Sequence, residues 1–410
     1  MSQYTSFPKE KIKILLLESI SPSAVQQFKD ADYINIETAK GAMSENELIE
    51  KLKDVHVVGV RSKTQLTARV LKNAPKLMAI GCYCIGTNQV DLECAKEEGI
   101  AVFNAPYSNT RSVAELVIAA SIMLIRKIPE KDKAAHQGIW LKDSSNAHEI
   151  RGKKLGIVGY GHIGSQVSVL AEALGLKVYY YDVETKLPLG NANTITSLKE
   201  LISKTDIVTL HVPATPETAN LFDKNIIEEF KEGQILINYS RGNVVDLEAL
   251  RNSMENGKIS GAALDVFPVE PKKKGDRFET PLQNIPNVIL TPHIGGSTEE
   301  AQWNIGIDVA SKIIKYIETG ATIGSHSIPA LSLPKVEGRH RILHIHHNVA
   351  GVLSAINSTL SAMKVNILGQ YLTTNEKIGY VVLDVPKDVS TDALEGLRQI
   401  NHTIKVRVLY

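Results

Sequence analysis

The chain has 410 residues, 43% of them hydrophobic and 22% charged, and its 46 Lys and Arg against 45 Asp and Glu leave a net charge of +1. That length exceeds one compact core and predicts two or three domains. The near balance of charge removes the electrostatic reason to expect nucleic acid or an anionic membrane as main partner. No apolar run approaches the ~18 residues of a membrane span, and the opening MSQYTSFPKEKIKILLLESI lacks the form of a signal peptide. A soluble, cytoplasmic protein is expected. Cys82, Cys84 and Cys94 make neither an even disulfide set nor a paired zinc pattern, and Cys82-x-Cys84 reads as part of a buried strand.

In chain order, KIKILLLE (11–18), HVVGVR (56–61), LMAIGC (77–82) and AVFN (101–104) read as strands. SPSAVQQFKDA, SENELIEKLKD, TARVLKNA and NQVDLECAKEEG read as the helices between them. This alternation implies a parallel sheet in an α/β domain. Residues 111–137 form one long helical pattern. Alternation resumes at Lys154 with LGIVG, KVYYYD, IVTLH, QILIN, GAALDV and VILTPH as strand-like runs, so a second α/β domain is expected. A helix from Thr298 to Glu318 follows, and GATIGSHSIPALSLPKVEG reads as a linker. Beyond it, RILHIHHN, GVLSAINSTLSAMK, VNILGQYLTT, YVVLDVP, DALEGLRQI and TIKVRVLY read as βαββαβ, the ferredoxin-like order.

Gly159-Tyr160-Gly161-His162-Ile163-Gly164 follows a strand and opens a helix, and Asp182 ends the next strand 18 residues after Gly164. That unit fits a dinucleotide site: Gly159 for the tight turn, Gly161 for approach of a pyrophosphate, Gly164 for helix packing. The helix N-terminus offers free N–H groups to phosphates. Asp182 suits both ribose hydroxyls and repels a 2′-phosphate, so NAD is favoured over NADP. Downstream, INYSRGNVVD, GAALDVFPVEP and VILTPHIGGST place Arg241, Asp265, Glu270 and His293 at or beyond strand ends. Removing hydride from a secondary alcohol requires its hydroxyl proton to leave as well, and a histidine titrates nearest neutral pH. Glu270 suits a dyad with His293, and Arg241 suits a two-pronged bond to a 2-hydroxy or 2-keto carboxylate.

RSVAELVI, GYGHIG, YSRGNVVD, GAALDVFPVEP and TPHIGGST resemble the motifs of D-isomer-specific 2-hydroxyacid dehydrogenases over most of residues 10–330. The resemblance implies two Rossmann-like doubly wound domains plus a C-terminal ACT domain. Their expected bounds are a split substrate domain at 1–107 and 299–335, an NAD domain at 108–298, and the ACT domain at 336–410. It implies Arg241, Glu270 and His293 as the catalytic set. Toward NAD it adds His162 and Ile163 of the glycine motif, Tyr239 and Ser240 beside Arg241, Asp265, and Ile294, Gly295 and Gly296 beside His293.

The same resemblance implies a substrate seated between the two α/β domains, with 3-phosphoglycerate as the compound and its oxidation in L-serine biosynthesis as the activity. Arg61, Ser62, the backbone of Cys84-Ile85-Gly86, and Asn109 would lie near its acidic groups, while Trp140 and Lys142 would reach a neighbouring subunit's site. His346, Asn348 and Asn366 match positions that ACT domains use for L-serine, an expected allosteric inhibitor. HHNVAGVL departs from that pattern, with Val349-Ala350 where an arginine or lysine and a proline are often seen. On a strand only His344 and His346 of His344, His346 and His347 share a face, with no acidic or cysteine partner nearby, so no metal is expected. A homotetramer is the implied assembly. The rival activities are reduction of hydroxypyruvate, glyoxylate or 2-oxoglutarate by the same residues, and NAD sensing without catalysis, as in dehydrogenase-like corepressors.

Overall fold

A computed structural model describes residues 8–271, 275–334 and 336–409. The first seven residues, weighed above as a signal, and Lys335 of the expected linker lie outside the described residues. The chain divides into two compact units, one of residues up to Ser108 with those from Gln302 onward, the other Asn109–Ala301.

In the first unit five short strands, β1 (Ile14–Leu16), β2 (Ile36–Thr38), β3 (Val57–Val60), β4 (Ala79–Cys82) and β5 (Ala101–Asn104), form a parallel sheet in the order β2-β1-β3-β4-β5. Every residue of β1, β3, β4 and β5 is buried, because two hydrophobic clusters cover the two faces of the sheet. Local signals set the helices: Ser21 accepts from Ser23 N with Pro22 at the first turn, and Ser44 with Glu47 makes a capping box. The edge strand β2, half exposed, was not legible as a strand because its one short run is not apolar.

The second unit holds seven parallel strands: β6 (Lys154–Val158), β7 (Lys177–Tyr181), β8 (Asn193–Thr194), β9 (Ile207–Leu210), β10 (Gln234–Asn238), β11 (Ile259–Leu264) and β12 (Val288–Leu290). Their order is β12-β11-β10-β9-β6-β7-β8, so the direction of winding reverses between β6 and β9. In a doubly wound sheet the ligand crevice opens at that switch, outside the carboxyl ends of the strands. The single helix expected over 111–137 is two helices, Thr110–Ile125 and Ile128–His136. Lys127 breaks them in the left-handed region (φ 53°), since Pro129 cannot donate to the carbonyl of residue 125 and clashes with it.

The C-terminal segment forms an antiparallel sheet, β14-β15-β13-β16, from β13 (His340–His347), β14 (Gly369–Thr374), β15 (Ile378–Val385) and β16 (Thr403–Leu409). On one face Ile342, Val381 and Leu383 pack under the helices Val352–Ala362 and Ser390–Arg398. From the other face, Leu343, Ile345, Tyr380 and Val382 join Ile313, Tyr316 and Ile317 in the core beneath the first sheet. Hence β15 is buried throughout and β13 nearly so. Polar ties reinforce the seat: Lys405 Nζ donates to Leu77 O at 2.8 Å, Tyr380 Oη to Gly320 O at 2.7 Å, and the Arg407 guanidinium lies over the Tyr316 ring.

The stretch 320–338 is also not a free connector. Ser327 Oγ donates to Ile100 O and accepts from Val102 N, Thr322 Oγ1 donates to Pro329 O, and Ile328 and Leu333 are buried. Its Gly, Ser and Pro content signals irregular backbone, which here is bonded along β5 by side-chain hydroxyls.

Within the C-terminal sheet, His344 is fully buried with Nε2 at 2.9 Å from Thr403 Oγ1. Burial, helped by neighbouring His346, holds its pKa down to about 4. An imidazole in the unfolded chain titrates near ~6.5, so the unfolded state binds the extra proton between those values. The contribution to stability is therefore complete above about 6.5 and lost as pH falls toward 4. Melting temperatures measured across that window should fall with pH, and His344→Gln should flatten the slope. An unaltered slope in the variant would assign the acid sensitivity elsewhere.

Candidate active site

At the end of β6 the backbone must turn into the helix His162–Ala173. Gly159 has φ 91°, and a Cβ there would lie 2.5 Å from His211 O, so no other residue fits. At Gly164 a Cβ would fall 2.2 Å from Gly159 O, whereas at Gly161 it would meet nothing within 4 Å. The chain thus packs tightly at the first and third glycines and leaves space at the second, where a pyrophosphate needs it. Asp182 closes the turn, its Oδ2 accepting from Tyr160 N at 2.7 Å and its Oδ1 from Glu184 N at 2.9 Å. Each oxygen retains a lone pair for ribose. These residues fit NAD.

At the ends of β10, β11 and β12 the three downstream motifs meet. Asn238, buried at the end of β10, accepts from both Ser240 N and Ser240 Oγ and donates to Arg241 O, which shapes the turn that presents Arg241. Gly242 packs on the Phe267 backbone so closely that a Cβ would lie 2.0 Å away. That contact brings the arginine turn against the turn carrying Glu270. Glu270 Oε1 accepts from Phe267 N at 3.0 Å, and Oε2 lies 2.8 Å from His293 Nδ1. Because the carboxylate only accepts, Nδ1 carries the proton and Nε2 the lone pair. His293 is 54% exposed, so Nε2 is open to a substrate.

His293 sits at φ 55°, a conformation that costs a β-carbon-bearing residue about 1–3 kcal/mol. Asp265 holds it there. This carboxylate, 2% exposed, accepts from Thr291 Oγ1 at 2.6 Å, Ile294 N at 2.8 Å and Gly295 N at 2.7 Å. Asp265, expected among the cofactor contacts, therefore spends its oxygens on shaping the loop that carries His293. Of two other expected cofactor contacts, Tyr239 is a core side chain and the Ser240 hydroxyl donates to Asn238 Oδ1. The motif GAALDVFPVEP marks Asp265 but not this positioning role, because the partners of its side chain lie 26–30 residues away; INYSRGNVVD contains Asn238 without marking its role.

Asn109 sits at the N-cap position of Thr110–Ile125 without a side-chain capping bond and lies against Gly296, where a Cβ would fall 2.0 Å from its Nδ2. In the same unit Trp140 is 86% exposed, beside exposed Ile139 and Leu141, and Lys142 is exposed too. In the first unit Arg61 and Ser62 follow β3, and Cys84, Ile85 and Gly86 follow β4, so both expected substrate segments sit at carboxyl ends of strands. Burial, partly offset by a bond from Gln89, pushes the Cys84 thiol up, so it is not a nucleophile near neutral pH. In the C-terminal sheet Asn348 and Asn366 are exposed while His346 is buried, its Nδ1 at 2.8 Å from His347 O. Sequence reasoning placed these three together; the single chain exposes only two.

A cavity of 1260 Å³ in the second unit is lined by Lys153, Asp206, Gln234, Ile259 and Asn287, among others. Those residues begin or immediately precede strands, so it lies at the opposite end of the sheet from His293 and is not the site of hydride transfer.

Residues 118–295 match the description of the D-isomer-specific 2-hydroxyacid dehydrogenase NAD-binding domain, and residues 342–406 match an ACT domain like that of the AHAS small subunit. The chain is 52% identical over 410 residues to D-3-phosphoglycerate dehydrogenase of Haemophilus influenzae, covering 100% of both chains. The Escherichia coli K12 enzyme of the same name is 50% identical over 407 residues, covering 99% of both. The chain belongs to the D-isomer-specific 2-hydroxyacid dehydrogenase family. Among solved structures, D-lactate dehydrogenase from Aquifex aeolicus, complexed with NAD and lactic acid, superposes with a TM-score of 0.64 at 27% identity, covering 78% of this chain and 100% of that one. The chain is thus an NAD-dependent dehydrogenase of this family with an added ACT domain. Among the described residues no helix is long and apolar enough to cross a membrane.

Proposed function

We propose that the chain oxidises 3-phosphoglycerate to 3-phosphohydroxypyruvate in the cytoplasm, on the route to L-serine. The observation that carries this reading is the His293–Glu270 pair at 2.8 Å on the unit that binds NAD, in a chain alike over its whole length to enzymes named for that activity. NAD, when bound, supplies the acceptor for the hydride leaving C2. Arg241 holds the substrate carboxylate through its guanidinium fork. The C2 hydroxyl passes its proton to His293 Nε2, and Glu270 stabilises the imidazolium formed. Arg61, Ser62, the 84–86 backbone and Lys142 supply the phosphate and carboxylate contacts.

L-serine is the proposed inhibitor, bound through Asn348, Asn366 and His346 of the ACT domain, and a homotetramer the proposed assembly. An ACT domain supports amino-acid regulation. His346 Nε2 is buried without a hydrogen-bond partner, which supports a role for it toward an effector. Purified protein should form NADH from 3-phosphoglycerate, and added L-serine should slow it. The double variant Asn348→Ala with Asn366→Ala should keep turnover and lose the inhibition. Robust reduction of 2-oxoglutarate or glyoxylate with no turnover of 3-phosphoglycerate would defeat the substrate assignment.

A further inference from the structure

Glu18 directly follows the buried run that ends β1, and it is itself buried, only 8% exposed. It and Ser19 are consecutive non-glycine residues in the left-handed region, φ 59° and 53°. Such backbone persists only where surrounding structure over-determines it. Its carboxylate explains the arrangement: Oε1 accepts from Thr64 N at 2.8 Å and Arg61 N at 3.2 Å, and Oε2 accepts from Lys63 N at 3.0 Å. The loop leaving β3 is wrapped around one buried anion.

A second buried side chain completes the fastening. Gln89, 2% exposed, donates through Nε2 to Arg61 O at 2.7 Å and approaches Cys84 Sγ at 3.3 Å and Gly86 O at 3.4 Å. Arg61 is therefore held on both sides of its Cα, its N–H by Glu18 and its C=O by Gln89. The loop leaving β4 is tied to the same point. From the end of β5, Asn104 Nδ2 donates to Ile85 O, its Oδ1 lies 2.9 Å from His326 Nε2, and its backbone O accepts from Lys312 Nζ at 2.8 Å. A turn alone needs one cap. Here three buried polar side chains converge on the backbone of the two loops at the carboxyl edge of the sheet.

We propose that Glu18, seconded by Gln89, is a positioning residue that pre-organises the Arg61–Thr64 and Cys84–Gly86 loops for the substrate's anionic groups. The inference rests on the reading of Arg61 as a substrate ligand. Fixing the backbone before binding removes an ordering cost that would otherwise weaken affinity. Glu18→Gln replaces one acceptor oxygen by an NH2 facing Lys63 N–H, so one donor loses its partner and the loop relaxes.

The test is steady-state kinetics on the full-length protein, with 3-phosphoglycerate and NAD varied separately. Glu18→Gln should raise the KM for 3-phosphoglycerate about tenfold, with kcat within about twofold and the KM for NAD unchanged. Arg61→Ala should raise the same KM at least as much, and adding Glu18→Gln to it should cost little more, since both act through one loop. Should Glu18→Gln fail to fold, Gln89→Met, which keeps the length and loses the donor, should show the same selective rise. An unchanged KM in Arg61→Ala would mean that the ligand reading itself is wrong. A rise in Arg61→Ala with none in the Glu18 or Gln89 variants would overturn the positioning role alone. Equal losses for both substrates, or additive losses in the double variant, would also overturn it, because they would mark general destabilisation.

Discussion

Replacing His293 by alanine should lower kcat for 3-phosphoglycerate oxidation by about 10²–10⁴-fold, the range that a positioned acid–base group contributes. The imidazole has no understudy: Glu270 reaches the reacting atoms only through Nδ1, and its other oxygen is bonded to Phe267 N. NAD binding should survive, because the glycine turn and Asp182 stand on β6 and β7, away from β12. Titration of intrinsic fluorescence with NADH would verify that, alongside the kinetic assay. Glu270→Gln should lose less, since its amide oxygen can still accept from Nδ1–H while the charge that stabilises the imidazolium is gone. Wild-type turnover in His293→Ala would remove the residue from the chemistry. Loss of NADH binding together with turnover would instead mark a collapsed loop.

Arg341→Ala should cost the first unit about 3–5 kcal/mol, the usual penalty for stranding one partner of a buried ion pair. The Arg341 guanidinium bonds both oxygens of Asp384, at 2.7 and 3.0 Å, and also donates to Thr319 O and Pro334 O. Asp384 is 1% exposed, and Arg339, another cation beside it, is 4.0 Å away. Urea unfolding followed by far-UV circular dichroism would measure the loss. Hydrogen exchange should show it first in β13 and β15, which carry the pair. Arg341→Met with Asp384→Leu, which removes both charges, should recover much of the stability. A single variant as stable as wild type would show that solvent reaches the carboxylate.

Much of this could be read from short windows of sequence. Buried parallel strands appear as apolar runs, and the unit from β6 to Asp182 carries its chemistry within a few dozen residues. His293 and Glu270 stood out because each ends a strand in a recognisable motif, and the fold then sets them 2.8 Å apart. What escaped was long-range. Glu18 finds its donors 43–46 residues later, and Asp265 acts on a loop 26–30 residues away. In a sequence each is one more acidic residue near a strand end. The edge strands β2 and β8 were hidden because an edge needs little apolar character. The 320–338 stretch was misread because composition reports backbone irregularity and cannot report whether hydroxyls tether it.

The central strands β13 and β15 of the C-terminal sheet, covered on both faces, bear on how this chain can be altered or inherited. A free-standing regulatory module keeps one face wet and can be cut away or exchanged. Here a truncation before β13 would strip Leu343, Ile345, Tyr380 and Val382 from their neighbours and lay bare Tyr316 and Ile317 on the part left behind. Both fragments would carry an adhesive apolar surface. The module is therefore not detachable: transplanting its control to another dehydrogenase requires grafting its seat, helix face and sheet edge together.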